Sequence, residues 1–161
     1  MNVYDFAMRM EEEHRAYYDR LALSAKTADM KTIFMLLADS EREHHEHLTL
    51  LKSGADPDTV DAVTLDRIKD RIHDLVADLN RTAVLAVEAD GYRQALKQEE
   101  TSIRLYEKLA DQEPNPEAAE VLRSIASEER CHLEVVENIY EFIESPRTYL
   151  AWGEFSNLRE Y

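Results

Sequence analysis

The chain has 161 residues, enough for one domain that buries roughly 70% of its unfolded surface, and its 3 Gly, 4 Pro and 33% charged residues fit an amphipathic helical protein. The 34 acidic side chains against 19 basic ones leave a net charge of -15, which repels phosphate backbones and anionic headgroups and excludes nucleic acid and membrane surfaces as partners. A single cysteine, Cys131, excludes an intramolecular disulfide or a four-thiolate metal site; with no basic-then-apolar leader and no apolar run near ~20 residues, a cytoplasmic location is expected.

An all-α fold follows from the apolar periodicity. Val3, Phe6, Met10, Tyr17, Leu21 and Ala22 recur at three- and four-residue steps, which predicts a first helix over 3–24. A second begins near Asp29, whose short side chain can cap a helix, and runs through Ile33, Leu36, Leu37 and Leu48 to Leu51. Ser53-Gly54-Ala55-Asp56-Pro57 ends it. Residues 53–89 are expected to be a crossover with its own amphipathic helical segment, carrying Ile68, Ile72, Leu75, Val76 and Leu79, since structureless loops of this length are rare in compact domains. Asp90-Gly91 opens a third helix that runs to about Asp111, and Pro114 and Pro116 mark the next turn. A fourth helix extends from about Glu117 to Glu144, where Ser145-Pro146 stops it. Residues 145–161 are then an aromatic tail, with Tyr149, Trp152, Phe155 and Tyr161, for which packing against its own bundle is expected, a dimer interface or partner recognition being the alternatives. The expectation is one domain over 1–161, made of helix pairs 3–52 and 90–144.

The two pairs are the same sequence written twice. A shift of 88 residues aligns 7–51 with 95–139 without a gap and matches Ala7 to Ala95, Glu11 to Glu99, Tyr18 to Tyr106, Leu21-Ala22 to Leu109-Ala110, Ala38 to Ala126, Glu41-Arg42 to Glu129-Arg130, and His44 to His132. Each half carries a Glu, a Tyr seven residues on, and a Glu-x-x-His whose Glu falls thirty residues after the first. Helix packing alone does not require those polar identities.

Metal chemistry does. Residues three apart share a helix face, so Glu41 with His44, and Glu129 with His132, can each offer one oxygen and one nitrogen to a common point. Antiparallel hairpins bring Glu11 to Glu41 and Glu99 to Glu129. One Glu from each of two helices and a Glu-x-x-His from each of the other two is the known donor set of carboxylate-bridged di-metal bundles, so the assignment is one of pattern. Four carboxylates in a core are costly if ionised and unpaired, and two divalent cations cancel their charge while both imidazoles stay neutral. Glu41 and Glu129 are expected to bridge, with Glu11 and His44 completing one coordination sphere and Glu99 and His132 the other. Mixed carboxylate and imidazole ligation suits two iron ions, with manganese or zinc as alternatives.

Tyr18 and Tyr106 lie two turns beyond their Glu on the same face. Two roles are open to them: supporting a ligand carboxylate or donating an electron, and simple core packing. His14, His45, His47 and His73 are expected to face solvent, with His47 nearest the ligand face. Cys131 stands at the repeat position of Glu43 and is expected to point away from the metals.

The phrases Ala-Met-Arg-Met-Glu-Glu-Glu with Tyr18, and Leu-Ala-Asp-Ser-Glu-Arg-Glu-His, repeated as Ala-Leu-Lys-Gln-Glu-Glu with Tyr106 and Ile-Ala-Ser-Glu-Glu-Arg-Cys-His, resemble the ferritin-like domain of the rubrerythrin family over about residues 3–144. The resemblance implies a ferritin-like four-helix bundle with a di-iron site. In such a site reduced iron is oxidised by hydrogen peroxide or dioxygen, and the peroxide leaves as water. It also implies an oxidoreductase of oxidative-stress defence and a homodimer. The rubredoxin domain of rubrerythrins proper has no counterpart here, so an external electron-donor protein is expected. The family's additional Glu, three residues after the third-helix ligand, is Ser102 in this chain. Ferroxidase or iron-handling activity, and a non-catalytic metal-binding or iron-sensing module, are the alternatives.

Overall fold

The computed structural model describes residues 2–54 and 89–157, with side chains placed for 2–54 and 91–141. Four helices make up these residues: α1 (Val3–Ser24), α2 (Ala28–Ser53), α3 (Ala89–Gln112) and α4 (Pro116–Asn157), and no strand occurs among them. The expected helical segment around Ile68 to Leu79 lies outside the described residues.

Local chemistry sets the helix ends. Asn2 caps α1 by accepting from the Tyr4 amide at 3.1 Å. Thr27, and not Asp29, caps α2, accepting from the Met30 amide at 3.3 Å; Asp29 sits inside the first turn, where its charge complements the helix dipole. α2 ends at Gly54, whose φ of 72° is the left-handed conformation that a residue without Cβ adopts freely, and its amide donates to the Leu50 and Leu51 carbonyls. Asn115 accepts from the Glu117 amide at 2.9 Å and caps α4, with Pro116 in the first helical position, where a missing N–H costs nothing.

One boundary differs from expectation. α4 does not stop at Ser145-Pro146 but continues through it to Asn157, so most of the expected tail is helix. A single interior proline removes one bond of the backbone ladder and crowds the preceding turn, at a cost of about 3 kcal/mol, while the residues on either side keep their own bonds.

Contacts at successive levels fix the packing. Asp5 pairs with Lys52, the Thr49 hydroxyl donates to Met8 Sδ at 3.2 Å, and His45 meets Glu12 at 3.3 Å, which sets α1 and α2 antiparallel. Tyr4 donates to Glu113 at 2.7 Å, and Tyr17 to the Gly91 carbonyl, so α1 also runs antiparallel to α3. The end of α2 therefore lies at the bundle end opposite the start of α3, the arrangement a long crossover joins.

The apolar core is divided in two. One half gathers Tyr17, Tyr18, Ile33, Phe34, Leu37, Tyr92, Val136 and Ile139, and the other Ala7, Met10, Leu48, Tyr106, Leu122, Ile125 and Ala126. Each large aliphatic or aromatic side chain fully buried there contributes about 1.5–3 kcal/mol. Between the halves lies a polar layer in which Glu11, His14, Ser40, Glu41, His44, Glu99, Ser102, Glu128, Glu129 and His132 are all buried.

Candidate metal centre

That layer is built by the repeat. Glu11 and Glu99 come from the middle of α1 and α3, and the two Glu-x-x-His clamps from the middle of α2 and α4, so the tertiary fold brings together all six residues that the pattern predicts. Glu11, Glu41, His44 and Glu129 offer ligand atoms that lie within 4.8 Å of one another, and Glu41, Glu99 and Glu129 do the same in a second group. Glu41 and Glu129 belong to both groups. His132 Nδ1 lies 3.1 Å from Glu41 Oε1, 3.7 Å from Glu129 Oε2 and 3.8 Å from Glu99 Oε2.

Close approach without hydrogen bonding tests whether these residues fit metal ions. His44 Nδ1 stands 3.0 Å from Glu129 Oε1, 3.4 Å from Glu41 Oε2 and 3.5 Å from Glu11 Oε2, yet its orientation toward each is wrong for a hydrogen bond. Glu11 Oε2, Glu41 Oε2, Glu99 Oε2 and both Glu129 oxygens are likewise enclosed and unsatisfied. Buried polar atoms in that condition cost about 1–3 kcal/mol each, more when charged. His132 Nδ1 hydrogen-bonds Glu41 Oε1, but the other inward atoms converge without bonding one another, the arrangement that cations satisfy, and two divalent ions match four carboxylates in charge.

Without cations, protons must do that work. Burial, then the charge of Glu11, pushes Glu41 up to about 7, and burial with the charges of Glu41 and Glu11 pushes Glu129 up to about 8. Burial and Glu129 hold Glu99 well above the usual carboxylate range. Burial raises Glu11 as well, but His44, Glu41 and Tyr106 outweigh it and draw the group down to about 2. For His44, burial opposes the charged form and the surrounding carboxylates overcome it, raising the group well above 6.5.

The halves support each other crosswise. Tyr18 of the first donates to Glu99 Oε1 of the second, and Tyr106 of the second donates to Glu11 Oε1 of the first. Both hydroxyls therefore hold carboxylates of the buried cluster. Burial, then the neighbouring carboxylates, raise both phenols well above 10, so they remain O–H donors. Sequence spacing put each Tyr on the face of its own Glu; the tertiary fold gives it the other half's Glu.

The imidazoles are steered from behind. With Nδ1 toward the cluster, His44 Nε2 donates to Glu128 Oε2 at 3.0 Å and His132 Nε2 to Ser40 Oγ at 2.9 Å, while Ser40 Oγ donates to Glu128 Oε2 at 3.5 Å. Such partners fix ring orientation and basicity in metal sites. Glu128 and Ser40 are repeat equivalents 88 residues apart, the signal by which sequence could have found them.

Two histidines are corrected. His14 is not solvent-facing: it is 4% exposed and reaches the Glu41, Glu99, Glu129 group. Its signal was present as Glu11-x-x-His14, the clamp spacing again on a third helix. His47 is also buried. His45 is partly exposed and pairs with Glu12, and His73 lies outside the described residues. Cys131 is partly buried, one residue before His132. A recess between α1 and α2, walled by Glu12, Arg15, Arg42, His45 and Glu46, has Glu11 and Glu41 among its lining residues.

Fold and site together define a ferritin-like four-helix bundle whose buried carboxylate and histidine cluster fits a di-metal site. No helix among the described residues is long and apolar enough to cross a membrane. The chain belongs to the rubrerythrin family: the sequence model for Rubrerythrin matches residues 2–140. No curated protein and no solved structure matches it.

Proposed function

We propose that this protein is a di-iron oxidoreductase that reduces hydrogen peroxide, or dioxygen, with electrons from an external donor protein. The observation that carries this reading is the enclosure of the donor cluster. Ten polar groups are buried between two apolar half-cores, and among the described residues a recess lined by Glu11 and Glu41 offers a small oxidant a way toward them. Two ferrous ions held by Glu11, Glu41, His44, Glu99, Glu129 and His132 would supply the two electrons that convert hydrogen peroxide and two protons into two waters.

The chain's own groups set the conditions for that exchange. Tyr18 and Tyr106 hold Glu99 and Glu11 in place through their outer oxygens and leave the inner oxygens free to ligate. Glu128 and Ser40 keep the distal nitrogens of His44 and His132 occupied, so both rings present Nδ1 inward. The apolar half-cores limit water and protect the reduced centre from stray hydrolysis and proton leakage. A homodimer supplied by a separate electron carrier is the expected working form.

Anaerobically reduced, iron-loaded protein should consume one equivalent of peroxide per site in a rapid single turnover, followed by stopped-flow absorbance. Slow loss, or loss at the same rate in metal-free protein, refutes the proposal. Glu129→Ala, which removes a carboxylate shared by both groups, should reduce metal content below two ions per chain in protein from iron-supplemented cells. A shell of many subunits in gel filtration would point to iron storage instead.

A further inference from the structure

The two halves of the centre are not equal, and His14 makes the difference. It stands three residues after Glu11, the spacing α2 and α4 use for their clamps, and α1 thus presents an oxygen and a nitrogen donor on its inner face. Shifted by 88 residues, the same position on α3 is Ser102. The Ser102 hydroxyl is turned to its own helix, donating to the Gln98 carbonyl at 3.1 Å, with Met10 Sδ beside it at 3.7 Å. One half has an imidazole where the other has a neutral hydroxyl already engaged.

Two independent observations aim that imidazole at a cation. A His14 ring nitrogen lies within 4.8 Å of carboxylate oxygens of Glu41, Glu99 and Glu129, which lie equally close to one another. Its Nδ1 is also enclosed and makes no hydrogen bond, although the side chain is 4% exposed. A core histidine kept for packing satisfies its ring nitrogens with a carbonyl or hydroxyl; His14 instead combines an unsatisfied, enclosed Nδ1 with a ring nitrogen close to three carboxylates, the setting of a metal ligand.

We propose that His14 is a third imidazole ligand of the metal pair, on the ion served by Glu99 and His132, and that the two positions consequently differ in coordination. One ion draws on Glu99, His132, His14 and the shared Glu41 and Glu129. The other draws on Glu11, His44 and the same shared pair, and keeps the more open sphere. A small exogenous ligand therefore binds first at the Glu11 and His44 ion. This rests on the di-metal reading above and adds the inequality to it.

Cobalt(II) provides a test that does not depend on turnover. In fully cobalt-loaded protein, proton NMR should resolve three exchangeable, paramagnetically shifted imidazole N–H signals, assigned by selective isotope labelling of histidine nitrogen. Two such signals overturn the His14 assignment while leaving the di-metal centre intact; failure to take up two cobalt ions overturns both. His14→Ser, which copies the Ser102 half, should give two signals and weaken one of the two stepwise cobalt affinities by at least ~10-fold, leaving the other within a few-fold. Unchanged affinities in a folded His14→Ser variant count against the proposal. The wild-type signal count decides the matter even if that variant fails to fold.

Discussion

Metal-free protein should lose stability as pH rises through neutrality, the reverse of the usual behaviour of an acidic protein. Glu129 and Glu41 titrate at about 8 and about 7 in the folded chain and at 4.5 once unfolded, so between these values the folded state holds protons that the unfolded chain has released. Stability from a raised carboxyl is complete below its unfolded value and disappears as pH climbs through the folded one. At about 1.4 kcal/mol per unit, moving from about pH 6 to about pH 8 removes about 2 kcal/mol through Glu129 and about 1 kcal/mol through Glu41. The two share one proton field, so the combined loss is about 2–3 kcal/mol, or ~5–10 °C in melting temperature for a domain of this size. His44, also raised, acts in the same direction. His14, lowered by burial, opposes it only up to 6.5, and Glu11, drawn down to about 2, is already fully ionised across this window. Urea denaturation followed by helical circular dichroism, in a chelator, measures the slope. Saturating manganese or iron should reverse it, because the ions bind only the folded chain and compete with the same protons. Glu129→Gln, neutral at every pH, should make the metal-free slope shallower by the Glu129 share, while Glu99, Glu41 and His44 keep theirs. A metal-free midpoint that is flat or rises over this range refutes the electrostatic account of the centre.

Tyr18→Phe and Tyr106→Phe each leave a buried carboxylate oxygen without its donor. Each should cost about 1–3 kcal/mol of stability and ~10–100-fold in metal affinity at the half whose Glu is released, measured by competition with a chromophoric chelator. If Tyr18→Phe binds both ions as tightly as wild type, the crosswise support has no functional weight. Gly54→Ala meets no atom within 4 Å but forces an alanine to a φ of 72°, so its cost is conformational, about 1 kcal/mol by urea denaturation, with metal content unchanged. Phe34→Ala opens a cavity in a fully buried position of the half-core that contains Tyr18 and should destabilise by about 3–5 kcal/mol; a loss below ~1 kcal/mol would mean that this half-core is loosely packed.

Spacing alone named the six carboxylate and imidazole side chains that converge in the core. An apolar repeat of three and four residues specifies helices, and a duplicated Glu, Tyr and Glu-x-x-His specifies which helix face carries ligands, because helical geometry converts spacing into direction without knowledge of partners. Val3 and Ser24 bound α1 as the periodicity indicates, and all six predicted ligands meet. How the halves face one another followed from the packing of the four helices. Tyr18 reaches Glu99 and not Glu11, and His44 leans on Glu128, because these contacts form between helices distant in sequence, where spacing carries no information. His14 shows the same limit: a lone histidine in an acidic helix looks solvated until three carboxylates from other helices close around it. At Pro146 a local rule gave a stop where the helix goes on, since a proline forfeits one backbone bond and the chain beyond it retains the rest.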